Sequence, residues 1–152
     1  MIADPRTIEL LSDYGELRRI GPWLRGAVGN RLDQSVIEDL DLAATEAVAN
    51  IIRHAYGGLP ARRIAIDIAF NQAGTELVFK DDGDPPPLGL FDRAPTIPAD
   101  APIDLASLPE SGRGLAIIHG CVDEVRYARH GATNELRLTV RNRATPQTPG
   151  AK

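Results

Sequence analysis

The chain has 152 residues, with 17 basic and 21 acidic side chains, a net charge of −4, 43% apolar residues and a single cysteine, Cys121. Length and composition fit one globular domain with its own core and leave no room for a second catalytic domain. They exclude a Lys/Arg block that could track nucleic acid, an internal disulfide and any apolar run near the ~20 residues that span a bilayer.

Residues 6–11 (RTIELL) read as a short strand. Ser12 then offers an N-cap to a helix through Leu17, Ile20, Trp23, Leu24, Ala27 and Val28, which Gly21-Pro22 is expected to kink or break. Residues 35–58 form the central helix: Ser35 with Glu38 makes a capping box, and Gly57-Gly58 supplies the stop. Along it Glu46, Asn50 and His54 are spaced four apart, so they stack on one stripe at a rise of about 6 Å per step. Ala44, Ala47, Val48, Ile51 and Ala55 make the apolar stripe. An Asn in mid-helix is a poor helix former and needs another reason to be there.

In residues 63–70 Ile64, Ile66, Ile68 and Phe70 alternate with smaller or polar residues, the pattern of a half-buried strand. A turn at 71–74 and a strand at 75–80 complete an antiparallel hairpin that ends in Asp81-Asp82-Gly83-Asp84. Residues 85–109 hold seven prolines in 25 residues, too many for a helix or strand, so they read as a long loop of lid or binding type. Gly112-Arg113-Gly114 opens a further helix carrying Leu115, Ile117, Ile118 and Val122. A strand begins at 123–127, turns at His130-Gly131 and returns over 135–141. The expected architecture is a two-layer α/β sandwich: a mixed, mostly antiparallel sheet with helices on one face. One domain is expected over residues 1–141, with a disordered tail at 142–152. The N-terminal MIADPRTIEL has neither the basic nor the apolar region of a secretory leader, so the expected location is cytoplasmic.

Singly, the motifs are weak, but their chemistry converges. A carboxylate at a strand end, Asp81, can accept a hydrogen bond from the exocyclic amine of a purine, while Gly83 lets the backbone pass close by. Gly112 and Gly114 at a helix N-terminus can bring backbone N–H groups to phosphates, where the dipole also favours negative charge. Arg113 adds a cation there, or points to solvent. The Asn50 side-chain oxygen suits Mg²⁺, and Glu46, one turn away, can take a proton from a hydroxyl or water. The alternatives for these two residues are a structural hydrogen bond and a surface charge.

The ordered set is more specific than its parts. E-x-x-x-N-x-x-x-H-A-Y at Glu46 to Tyr56, D-x-G at Asp81 to Gly83 and S-G-x-G-L at Ser111 to Leu115, followed by DEVRY, resembles the Bergerat-type ATP-binding fold of histidine kinases, gyrase, Hsp90 and MutL. Within that superfamily it looks most like the bacterial anti-sigma factor serine/threonine kinases, over about residues 5–141. The resemblance implies ATP and Mg²⁺ as cofactors, Asn50 as the Mg²⁺ ligand, Glu46 as general base and Asp81 as the adenine reader. Gly83, Gly112 and Gly114 match the nucleotide-loop glycines. It further implies a homodimer that binds a sigma factor and phosphorylates a STAS-type antagonist, with the N-terminal helix region contributing to partner binding. Two departures stand out: Pro85-Pro86-Pro87 follows the Asp-x-Gly, and a proline-rich loop replaces a more helical lid. No phosphoacceptor helical hairpin or transducer domain fits within the sequence, so the expectation is a stand-alone kinase. A nucleotide-dependent regulator that sequesters its partner without phosphorylating it is the alternative.

Overall fold

The computed structural model describes residues 6–92 and 110–142. The chain runs β1 (Thr7–Leu11), a 3₁₀ segment (Tyr14–Arg19), α1 (Ile20–Val28) and α2 (Gln34–Asn50), which continues as a π-helical turn over Ile51–Ala55. Then follow β2 (Arg63–Asn71), β3 (Gly74–Asp81), α3 (Glu110–Cys121), β4 (Glu124–His130) and β5 (Thr133–Arg141). The strands form one sheet in the order β1-β2-β3-β5-β4, with each neighbouring pair antiparallel. The helices cover one face. This is the expected two-layer α/β sandwich, of the Bergerat type.

Alternation along the strands makes the core. Ile64, Ile66 and Ile68 of β2, Leu77 and Phe79 of β3, and Leu136, Leu138 and Val140 of β5 are all buried. From the helices come Leu24, Val28, Leu40, Ala43, Ala44, Ala47, Val48 and Ile118. Burying a side chain of the size of Leu, Ile or Phe stabilises the fold by about 1.5–3 kcal/mol over leaving it in water. The alanines of α2 matter by being small, since they let the helix lie close to its neighbours. The register sets the site: in the β3–β5 pair Asp81 stands directly opposite Asn134, at the sheet end where β3 stops.

Local signals were displaced in four places. Ser12 is not a helix cap: its hydroxyl donates to Leu59 O at 2.6 Å and accepts from Arg62 N at 2.9 Å, so it ties β1 to the loop after the central helix. Asp13 caps the 3₁₀ segment instead, accepting from Gly15 N at 3.0 Å. Gly21-Pro22 does not break the helix, because α1 begins at Ile20 and Pro22 falls in its first turn, where a missing N–H costs nothing. The Ser35–Glu38 capping box does not form. Helix α2 begins one residue earlier after Asp33, and Glu38 accepts from the Gln34 side chain at 3.3 Å. The Gly57-Gly58 stop does form, with both glycines at positive φ, 58° and 81°, and Gly58 N donating to Ile52 O at 2.8 Å. Finally, α3 starts at Glu110, so Gly112 lies within its first turn and does not precede it. Of the proline-rich loop, residues 85–92 are described and 93–109 lie outside the described residues, as does the tail beyond Asn142. Among the described residues no helix is long and apolar enough to cross a membrane.

Candidate functional site

The site forms where the end of α2, the end of β3 and the start of α3 meet. At Asn50 the α-helical ladder gives way to a wider turn, in which Tyr56 N donates to Ile51 O at 3.0 Å, an i→i+5 bond. Outside this ladder the Ala55 carbonyl accepts from Asp84 N at 2.7 Å. The helix end is thereby pinned to the Asp81–Asp84 turn. Gly83 makes this approach possible: a Cβ on it would lie 2.5 Å from Ala55 O and 2.6 Å from Ala55 C. Tyr56 adds a second tie, its hydroxyl donating to Arg63 O at 2.6 Å and accepting from Asp82 N at 3.0 Å.

Between these elements lies a cavity of about 340 Å³, within the ~300–1,000 Å³ range of small-molecule sites. Asn50, His54 and Asp81 line it, with Pro85, Pro86, Pro87, Leu90 and Phe91 from the loop and Leu115, Tyr127, Asn134 and Leu136 from the far side. The walls are largely apolar and the few polar groups converge, which suits a flat heteroaromatic ring with one polar edge.

Asp81 is buried, at 6% exposure. Its Oδ1 accepts from Gly83 N at 2.9 Å and from Asn134 Nδ2 at 2.8 Å. Burial pushes its carboxyl above the usual range, against the pull of those two donors; Asp82 adds to the rise and Arg129 opposes it. At the other end, Glu46, Asn50 and Gly114 meet. A Cβ on Gly114 would stand 3.3 Å from Asn50 Nδ2, Asn50 Oδ1 and Glu46 Oε2 alike. Gly114 thus gives the two side chains the room they occupy between α2 and α3. Arg113 precedes it, and its Nε is buried without a hydrogen-bond partner among the described residues.

Of the residues singled out from sequence, Asn50 and Asp81 face the cavity, and Glu46 and Gly114 gather beside Asn50. Arg113 and Gly112 sit in the first turns of α3. Gly83 is turned against Ala55, so its missing side chain serves helix packing. Sequence reasoning missed Asn134, Tyr127, Phe91 and the structural role of Tyr56. Asn134 carried a readable signal: it is in phase with Leu136, Leu138 and Val140, a polar residue on an apolar face.

Residues 11–140 match the family described as the histidine kinase-like ATPase domain. The chain belongs to that family. Two solved structures share the fold of this histidine kinase-like ATPase domain. The RsbU and RsbW domains of Rv1364c from Mycobacterium tuberculosis superpose with a TM-score of 0.55 at 18% identity, covering 89% of this chain and 32% of that one. The histidine kinase domain of the Erythrobacter litoralis EL346 blue-light activated histidine kinase gives 0.50 at 14% identity, covering 84% of this chain and 60% of that one. This chain therefore spans about a third and three fifths of those two proteins. No curated protein matches the sequence.

ATP with Mg²⁺ is the group this family implies, and the residues present fit it. The cavity has the size and lining for a purine, Asp81 offers an acceptor on its polar edge, and the Arg113 Nε is a buried donor in want of an acceptor. Among the described residues no group of three or more His, Cys, Asp or Glu side chains is placed to hold a metal ion. A cation held by Asn50 would complete its shell with water and phosphate oxygens, the habit of Mg²⁺.

Proposed function

We propose that this domain is an ATP-dependent serine/threonine protein kinase of the anti-sigma factor type, which phosphorylates a STAS-type antagonist and sequesters a sigma factor. The observation that carries the reading is that the Glu46 and Asn50 side chains share the space left by the missing Cβ of Gly114, with Asn50 lining the same cavity as Asp81. A domain that only held nucleotide would need the base reader and the helix N-terminus; a carboxylate one helical turn from the Asn read as the metal ligand, at the same glycine, adds a proton acceptor.

In this reading Asp81 accepts a hydrogen bond from the exocyclic amine of adenine, and Phe91, Tyr127 and Leu136 flank the ring. Asn50 presents its side-chain oxygen to the cation. The first turns of α3, with Gly112, Arg113 and Gly114, offer backbone and guanidinium donors to the phosphates. Mg-ATP, when bound, supplies the γ-phosphoryl group and the cation that neutralises its charge. Glu46 takes the proton of the attacking Ser or Thr hydroxyl and is set by α2 to do so. Phosphoryl transfer asks the protein chiefly for positioning and charge stabilisation, which these few groups provide. The site is read as working in the cytoplasm within a homodimer.

The test is transfer of label from γ-labelled Mg-ATP to STAS proteins of the same genome. Serine or threonine phosphorylation of one of them is the expected result. A protein that binds ATP and a sigma factor yet labels no STAS protein is a sequestering regulator, and the kinase reading falls.

A further inference from the structure

A carboxylate by itself does not tell adenine from other purines. The N6 amino group of adenine donates to it, and so does the N1–H of a 6-oxopurine, one ring position away. Discrimination needs a carboxylate that cannot shift by that one position. We infer that Asn134 is the positioning residue that provides this, fixing Asp81 so that it accepts from the 6-amino group and turns away the 6-oxopurine edge. The inference rests on the reading of the cavity as an adenine-nucleotide site.

The amide of Asn134 is wholly engaged by the protein. Its Nδ2 donates to Asp81 Oδ1 at 2.8 Å, Gly83 O at 3.1 Å and Asp84 O at 3.2 Å. Its Oδ1 accepts from the Tyr127 hydroxyl and from Arg129 Nη1, the latter at 2.7 Å. Five neighbours therefore dictate which way the amide faces, and neither N–H is left to bind a ligand. An Asn at 4% exposure in phase with Leu136, Leu138 and Val140 is costly to bury unless all its groups are paired, and here they are.

The consequence falls on Asp81. Asn134 and Gly83 N together hold Oδ1, whereas Oδ2 has no donor among the described residues. The carboxylate is clamped by one oxygen, and the other remains as a fixed acceptor. Tyr127 extends the clamp to the cavity wall, because its ring stacks on Phe91 with centroids 5.7 Å apart and an interplanar angle of 30°. The same tyrosine that orients the Asn134 amide braces the loop segment over the site. The Arg129 guanidinium also donates from Nη1 to Gly83 O at 3.2 Å and closes the turn from its outer side.

Titration calorimetry of the whole chain with ATP and with inosine triphosphate tests this. Wild type should prefer ATP by about 10–10²-fold, the scale of one hydrogen bond to a charged group. In Asn134→Ala the ATP-to-ITP ratio should fall about tenfold or more, through weaker ATP binding and unchanged or tighter ITP binding. Tyr127→Phe, which keeps the side chain's volume and removes one of the two donors to Asn134 Oδ1, should lower the ratio by a smaller factor. It carries the test if Asn134→Ala does not fold. As a second readout, the pH below which ATP affinity declines should move up in Asn134→Ala, because a donor that favours the charged carboxylate is gone. The other charged or titratable groups around Asp81, namely Asp82, Asp84, Arg129, Tyr56, Tyr127 and His54, are unaltered in that variant. A folded Asn134→Ala with the wild-type ratio overturns the inference and leaves the nucleotide site standing, as does a wild type that binds ATP and ITP alike. A wild type that binds neither nucleotide overturns the reading of the site and the inference with it.

Discussion

The two ends of the cavity are built differently. At the base end Asp81, Asn134, Tyr127, Arg129 and the Asp81–Asp84 turn share a closed set of hydrogen bonds, fixed by the β3–β5 register. At the end proposed for the phosphates the half-buried side chains of Glu46 and Asn50 have no hydrogen-bond partner among the described residues, and only the Arg113 Nε there is fully buried without one. Leaving a buried polar group unpaired costs about 1–3 kcal/mol, so native proteins do it where something else completes the pairing. The Asp81 end is preorganised by the fold; in the proposed reading the Glu46–Asn50 end, the phosphate end, is completed by what binds. Changes at the first should therefore alter stability and affinity together, and changes at the second should alter chemistry and affinity with little effect on stability.

The largest effect expected is at the phosphate end. Glu46→Gln keeps the shape but cannot take a proton, so single-turnover transfer at saturating Mg-ATP should fall by roughly 10²–10⁴-fold. Its unfolding free energy in urea should stay within about 0.5 kcal/mol of wild type. Equal transfer rates in the two proteins would assign proton removal to another group. A large loss of stability would erase the contrast between the two ends.

Next comes Gly83→Ala at the base end. The new Cβ would meet Ala55 backbone atoms at 2.5 and 2.6 Å, so either the turn or the π-helical segment must move. A loss of roughly 2–4 kcal/mol in urea unfolding is expected, the upper range for overpacking against backbone. A midpoint unchanged from wild type would show that the end of α2 yields at no cost. Asp81→Asn should then weaken ATP binding by about 1.5–3 kcal/mol, the worth of a charged hydrogen bond, read by calorimetry. Asn50→Ala should weaken Mg-ATP by about tenfold and leave metal-free ADP near its wild-type affinity, because its oxygen reaches the phosphates only through the ion. Equal losses for both nucleotides would make Asn50 a structural residue.

The same contrast explains what was legible in the sequence. Strands and sheet faces followed from alternation, since β2, β3 and β5 bury every second residue in a pattern that side-chain geometry enforces. The Glu46–Asn50 stripe was legible because helical spacing is local. The base end is not local: Asp81 and Asn134 are 53 residues apart and meet through strand pairing. Beginning the last strand at Glu135 cut Asn134 off from the apolar phase that marks it as buried. The π-helical turn was illegible for a similar reason, as it is held by Asp84 and Gly83, whose approach to Ala55 no local pattern in 51–55 records. Ser35 and Glu38 had the right spacing for a capping box, but the chain entered α2 at Gln34 and left them on its surface.

The smallest effect is the most discriminating about the base end. Burial holds the Asp81 carboxyl above its usual range, so the folded protein binds that proton more tightly than the unfolded chain does. The associated stability is complete below the unfolded value of about 3.9 and is lost as pH rises through the raised folded value. At pH 7 the fold therefore bears the full cost of a buried charge. In Asp81→Asn the amide oxygen can still accept from Gly83 N and Asn134 Nδ2, while its NH₂ takes the place of Oδ2 toward the cavity. The variant should be more stable than wild type at pH 7, on the order of 1 kcal/mol by urea unfolding, even though it binds ATP more weakly. That advantage should shrink as pH falls through the folded value, because wild-type Asp81 then becomes neutral too. Were Asp81→Asn instead less stable at pH 7, the two hydrogen bonds on Oδ1 would outweigh burial, and the base end would be a net source of stability even with its carboxylate charged.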